Sequence, residues 1–183
     1  MNHFLPTFTL KYFLTCFMRY FRILSLFLTC CLLFSGCKTA STLSLQKEME
    51  KRASLVVSAE KLKGVPYRYG GNSPRGFDCS GYVNYVFGQV GYKLPRSTEE
   101  LIKSGKKISE KDAMPGDLIF FRGNDRRNKK AGHVGIITSI SGSKIYFIHA
   151  STSSGVRVDS NEQEYYKSRY LQIRKILTAK SAE

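Results

Sequence analysis

At Pro115-Gly116 the chain changes its hydrophobic period, and that switch restricts the fold more than any other feature. Ahead of it, apolar residues recur at helical spacing. Behind it, DLIFF, HVGIITSI, KIYFIHA and YLQIRKIL are β-rich runs separated by Gly, Ser, Asn and Lys clusters. Leu55, Ala59 and Leu62 predict a first helix near 45–63, ended by Gly64 before Pro66. YRYGGNSPRG carries turn signals throughout, and CSGYVNYVFGQVG then predicts a helix that starts at Cys79 with Asp78 as its N-cap. Ser97 and Glu100 form a capping box that opens a third, short helix. RGNDRRNKKAG is a charged loop between the first two strands, and no internal repeat is visible. Helices first and antiparallel strands later describe an α+β domain with N-terminal helices packed on an antiparallel sheet.

The first residues follow other rules. Before Cys37 the only charges are Lys11, Arg19 and Arg22, and ILSLFLTCCLLF is almost wholly apolar. A basic flank, a short apolar run and the small pair Ser35-Gly36 are the parts of a secretory signal. The run is shorter than the roughly 20 residues a membrane span needs. Leu33-Phe34-Ser35-Gly36-Cys37 resembles a bacterial lipobox, with Phe34 where Leu is commoner, so Cys37 is the expected lipidation site and new N-terminus. MRYFRILSLFLTCCLLFSGC is a complete leader in itself, which makes Met18 a second candidate start. The expected organisation is a signal at 1–36, a lipidated tether at 37–54 and one domain at 55–178.

Loss of the leader removes Cys16, Cys30, Cys31 and His3 and commits Cys37 to lipid. Cys79 is then the one thiol left, so no internal disulfide can form, and it is either buried ballast or a working group. A helix start favours the thiolate through unpaired N–H groups and the dipole, and it sets backbone donors beside the sulfur where an oxyanion would form. The expectation is a sulfur held ionised. His133 begins one strand and His149 ends the next, around a turn whose midpoint is Ser141. Pairing about that midpoint sets the two imidazoles directly opposite each other on one face, as a base and its orienter. One Cys and two His could offer three ligands to zinc, but no Cys-x-x-Cys or His-x-x-x-His spacing accompanies them, so no metal and no cofactor is expected.

Charge agrees with an exported role. Of 29 basic residues the leader takes 3, leaving 26 against 14 acidic ones, a net +12. Such a domain suits an anionic polymer such as peptidoglycan, or a headgroup surface, although a basic face can also serve solubility alone. No basic motif interleaved with aromatics speaks for nucleic acid.

PYRYGGNSPRGFDCSGYVNYVF, LPRST, MPGDLIFF, GHVGII and IHAS resemble the NlpC-type family of papain-like cell-wall peptidases, over roughly residues 55–177. The resemblance implies a papain-like fold with Cys79 as nucleophile at a helix start, His133 as base and His149 as the polar residue that orients it. It further implies Tyr67 near the nucleophile as an oxyanion donor, and Asp78 and Ser80 as contacts to a free stem-peptide amine or, equally, as caps of the helix. Leu101 stands near the place where the family often has Gln, and the stretch from His133 to His149 is longer than usual. Asp117 is read as a turn residue. The implied activity is hydrolysis, through a cysteine acyl-enzyme, of a stem-peptide or cross-link amide involving diaminopimelate, by a monomer anchored in the envelope at the outer membrane and facing the periplasm. The alternatives are a catalytically silent peptidoglycan-binding lipoprotein, and a papain-like amidase or acyltransferase on another substrate.

Overall fold

The computed structural model describes Tyr20, Arg22, residues 39–123 and residues 130–177. The rest of the expected signal at 1–36, the lipidation candidate Cys37 and most of the charged loop lie outside the described residues. The chain divides into two compact units, residues 1–45 and 46–183. In the first, Tyr20, Arg22 and residues 39–45 are helical.

Helix α1 spans Thr39–Glu60, so it begins and ends earlier than the expected 45–63 and takes in most of the stretch assigned to a tether. Leu55 and Ala59 are fully buried, as their spacing predicts, while Leu62 falls past the helix end. The same face also buries a charge. Arg52, only 2% exposed, donates to Asp117 Oδ1 at 2.9 Å, to the Pro115 carbonyl at 2.8 Å and to Glu48 at 3.1 Å. Asp117 is more than the turn residue expected. Its Oδ2 does accept the Met114 N–H at 2.9 Å within the turn, but the carboxylate is fully buried against Arg52, and burial raises its pKa despite that partner.

A small hairpin, β1 (Asn72–Ser73) with β2 (Gly76–Phe77), interrupts the glycine-rich loop ahead of α2 (Cys79–Gln89) and α3 (Thr98–Leu101). The antiparallel sheet follows: β3 (Lys106–Ile108), β4 (Leu118–Arg122), β5 (Ala131–Ser141), β6 (Lys144–Ser151), β7 (Gly155–Ser160) and β8 (Tyr170–Lys175), with the short helix α4 (Glu164–Lys167) before β8. Strand order is β3-β8-β4-β5-β6-β7. The strand period of two sorts the core into two clusters. Leu118, Phe120, Val134, Ile136 and Ile148 pack with Leu55, Phe77 and Val86 on the face that carries α2. Ile119, Phe121, Ile137, Phe147 and Tyr166 pack on the other face. Leu101 is fully buried in the first cluster.

The β5–β6 register corrects one expectation. The hairpin turns at Gly142-Ser143, with Ser141 paired to Lys144, rather than about Ser141. Gly142 takes the φ of +61° that the first position of such a two-residue turn requires. Carried on unbroken, this register would put His149 opposite Ile136, which leaves His133 on the far face. A bulge between Ile137 and Ser139 adds one residue to β5 and resets the pairing to Ile136↔Ile148. One step further, Gly135 stands opposite His149. The imidazoles therefore share a face, as expected, but sit diagonally rather than directly opposite.

Candidate active site

The tip of α2 is built by its neighbours in sequence. Asp78 caps it, with Oδ1 accepting the Gly81 N–H at 2.7 Å. The YGG loop closes over the same turn: the Asp78 N–H donates to the Gly71 carbonyl at 3.1 Å, and a Cβ on Gly81 would collide with that oxygen. Only glycine fits there, which accounts for the last letter of DCSG. Arg96 clamps the cap from outside, Nη1 to Oδ1 at 2.8 Å and Nη2 to Oδ2 at 2.6 Å, and it also reaches Ser80 Oγ at 2.7 Å. Burial works against the Asp78 charge. The bonds from Arg96 and from the Gly81 and Gly70 N–H groups outweigh it, so the carboxyl titrates below its usual range. Both Asp78 and Ser80 are thus engaged within the chain.

Cys79 is partly exposed at the helix start, with Sγ 3.7 Å from Thr98 Oγ1 on α3. The expectation of a resting thiolate is overturned. Burial, with the charge of Asp78 added, raises the thiol pKa more than Thr98 and the backbone N–H groups of Ser80 and Val134 lower it. Tyr67 flanks the sulfur in an isolated bridge to Phe77, and its own pKa is raised by burial and by proximity to Cys79 and Asp78.

Across the site, His133 Nε2 lies 2.8 Å from His149 Nδ1, with the rings nearly perpendicular. Burial lowers both imidazole pKa values; the neighbouring His149 adds to this for His133, and Asp159 offsets part of it for His149. Cys79 and His133 line one cavity, and with the thiol pKa raised and the imidazole pKa lowered both are in their neutral forms there at neutral pH. Sequence reasoning missed what stands behind His149. Its Nε2 is 2.9 Å from Asp159 Oδ2, and the Tyr166 hydroxyl is 3.0 Å from the same oxygen. Arg157 and Gln163 donate to Oδ1 at 2.6 and 3.1 Å. Burial opposes the Asp159 charge, but the bonds from His149, Gln163 and Tyr166 prevail and hold its carboxyl below the usual range. The alternation Val156-Arg157-Val158-Asp159, polar at every second residue, was the one signal of this group.

Tyr67, Cys79, His133, His149, Asp159 and Tyr166 line a single cavity of about 520 Å³, which Arg122 and Arg157 also border. Asp78 and Ser80 sit behind the nucleophile rather than on that wall. Among the described residues no group of His, Cys, Asp and Glu side chains is arranged to hold a metal ion, and none of the helices described is long and apolar enough to cross a membrane.

Helices on an antiparallel sheet, a thiol at a helix tip and an imidazole on a neighbouring strand are together the design of a papain-like cysteine peptidase. The chain belongs to the NlpC/P60 family, whose profile matches residues 64–175. It is 38% identical over 151 residues to the murein DD-endopeptidase MepS/murein LD-carboxypeptidase of Escherichia coli K12, covering 78% of this chain and 76% of that protein. It is 39% identical over 123 residues to a gamma-DL-glutamyl hydrolase of Bacillus subtilis 168, covering 66% of this chain and 28% of that one. Among solved structures, an NLP/P60-family protein of Staphylococcus aureus Mu50 superposes with a TM-score of 0.60 at 30% identity, over 70% of this chain and 42% of that chain.

Proposed function

We propose that the protein is a lipid-anchored peptidoglycan endopeptidase that cleaves a stem-peptide or cross-link amide beside diaminopimelate. The observation that carries this reading is the single cavity holding Cys79, Tyr67 and the bonded His133–His149 pair. The names of the relatives supply the substrate class. His133 uses Nε2 on His149, so the thiol proton moves to Nδ1 as Sγ attacks the carbonyl. The Cys79 N–H and the Tyr67 hydroxyl hold the oxyanion, His133 returns the proton to the leaving amine, and a water that His133 deprotonates then releases the acyl group. A thiol that is not ionised at rest fits proton transfer coupled to attack. In this reading Asp78 and Ser80 contact a free stem amine only if Arg96 yields its place, whereas their capping role needs no such change.

A lipid on Cys37 and a net charge of +12 after the leader would keep the enzyme at the outer membrane, facing the periplasm, as a monomer among anionic wall polymers. Mass spectrometry of purified muropeptides after incubation with the protein is the test. Cleavage at a diaminopimelate amide that disappears in Cys79→Ala and falls about 10²–10³-fold in Tyr67→Phe is the expected result. Binding without cleavage would make the chain a silent recognition module, and equal residual activity in the two variants would remove the assignment of Cys79. Fatty-acid labelling that is lost in Cys37→Ser tests the anchor.

A further inference from the structure

His133, His149 and Asp159 form a staircase across three adjacent strands. The β6–β7 register pairs His149 with Arg157 and Phe147 with Asp159, so Asp159 lies two residues along from the partner of His149. His133 lies two residues from Gly135, the position opposite His149 on the other side. Each step is a same-face diagonal, and the steps run in one direction. Asp159 is 5% exposed and its two oxygens divide the work: Oδ1 faces Arg157 and Gln163, while Oδ2 faces His149 Nε2 and the Tyr166 hydroxyl.

We infer that Asp159 is the positioning residue of the reaction, fixing through His149 which nitrogen of His133 is free to accept the proton of Cys79. A carboxylate cannot donate, so the contact at 2.9 Å requires the proton on His149 Nε2. The Tyr166 hydroxyl lies 3.1 Å from His149 Nε2 and 3.0 Å from Oδ2, and it does not reverse this: with its proton directed at Nε2, the lone pairs of Nε2 and Oδ2 would face each other at 2.9 Å, so the hydroxyl donates to Oδ2. His149 Nδ1 is then a lone pair and must accept from His133 Nε2–H across 2.8 Å. That leaves the lone pair of His133 on Nδ1, the nitrogen needed as base. One negative charge at the far end thereby sets the polarity of two neutral rings. Arg157 and Gln163, from the edge strand and the following turn, hold that charge through Oδ1 without occupying the oxygen that does the setting, and Tyr166 from α4 shares Oδ2 with His149.

Asp159→Asn supplies an amide that can donate to His149 Nε2, which moves the proton of that ring to Nδ1 and turns His133 into its Nδ1–H tautomer, unable to take a proton from sulfur. This inference rests on the proposed hydrolysis by Cys79 and His133, but its primary readout does not. Nitrogen-15 NMR of the imidazoles in the folded, full-length protein at neutral pH should show both rings as Nε2–H. Observing Nδ1–H on either ring of the wild type overturns the inference without any variant. In Asp159→Asn both rings should convert to Nδ1–H, with kcat reduced on the order of 10³–10⁴-fold and KM little changed. Asp159→Glu should restore the wild-type tautomers and part of kcat, and Tyr166→Phe should leave both tautomers in place. Unchanged tautomers in Asp159→Asn, or a loss confined to KM, would refute it. If instead Cys79→Ala still cleaves, the catalytic reading fails while the tautomer result stands.

Discussion

Gly135→Ala tests how closely the sheet itself sets the catalytic geometry. Gly135 stands opposite His149 in the bulged register, and a Cβ there would lie 2.7 Å from Phe147 Cδ2, 3.1 Å from the Ile148 carbonyl oxygen and 3.3 Å from His149 Cβ. Ordinary carbon contacts begin near 3.5 Å, so β6 or the Phe147 ring must give by several tenths of an ångström. The ring has little room, being packed 4.9 Å from both Phe121 and Tyr166 between ring centres. Overpacking of this kind costs about 1–3 kcal/mol, offset by up to about 1 kcal/mol from a less flexible unfolded chain. A net loss of about 1–2 kcal/mol lowers Tm by roughly 3–10 °C in a domain of this size. The larger effect falls on activity. The same displacement pushes His149 off the line to His133, and a misplacement approaching 1 Å costs about 10²-fold in rate, so kcat should fall about 10- to 100-fold with KM nearly unchanged. Differential scanning calorimetry and initial-rate kinetics on muropeptides check both. A variant with the wild-type melting point and full kcat would show that the close approach at Gly135 has no part in setting the site.

Arg52→Ala should destabilise the domain by about 3–5 kcal/mol, since it strands the fully buried Asp117 without its guanidinium. Combining it with Asp117→Asn should recover part of the loss, and a single variant that melts like the wild type would show the pair to be dispensable. Acid stability follows from the two imidazoles, whose folded-state pKa values lie below the unfolded value near 6.5. The unfolded chain therefore binds protons first as pH falls; stability is whole above about pH 7 and drops below pH 6.5 by up to roughly 2.7 kcal/mol per pH unit. Melting curves between pH 7.5 and 5 should show this decline, and it should halve in His149→Gln; a flat profile over that range contradicts it. Asp78→Ala should cost about 2 kcal/mol by removing the cap of α2 and the partner of Arg96, read by denaturant unfolding, and an unchanged midpoint would show the cap to be redundant.

What could be read from the chain alone was local. Asp78 before Cys79 and Ser97 before Glu100 announce their caps because the bonds span three residues, and both form as read. The α+β order and the strand runs from Leu118 onward follow from hydrophobic period, which the pleat and the helical turn impose on any sequence. The strand pair β1–β2 and strand β3 escaped because two or three residues leave no period to see, and β7 escaped because Arg157, Asp159 and Ser160 make half of its six residues polar. Cys79, His133, His149 and Tyr67 could be named from motif, and the fold gathers all four around one cavity.

The tertiary structure alone decided the rest, because each remaining feature depends on groups far apart in sequence. One bulged residue in β5 selects the face on which His133 meets His149, and no periodicity argument can count a residue that leaves the ladder. Asp159 becomes the end of the relay only when β7 pairs with β6. Arg52 and Asp117 are surface residues by type, and packing makes them a buried pair. The protonation state of Cys79 divides the two kinds of knowledge most clearly. Sequence places it at a helix tip, where the dipole favours the anion, and burial, a property of the packed fold, outweighs that preference and raises the thiol pKa.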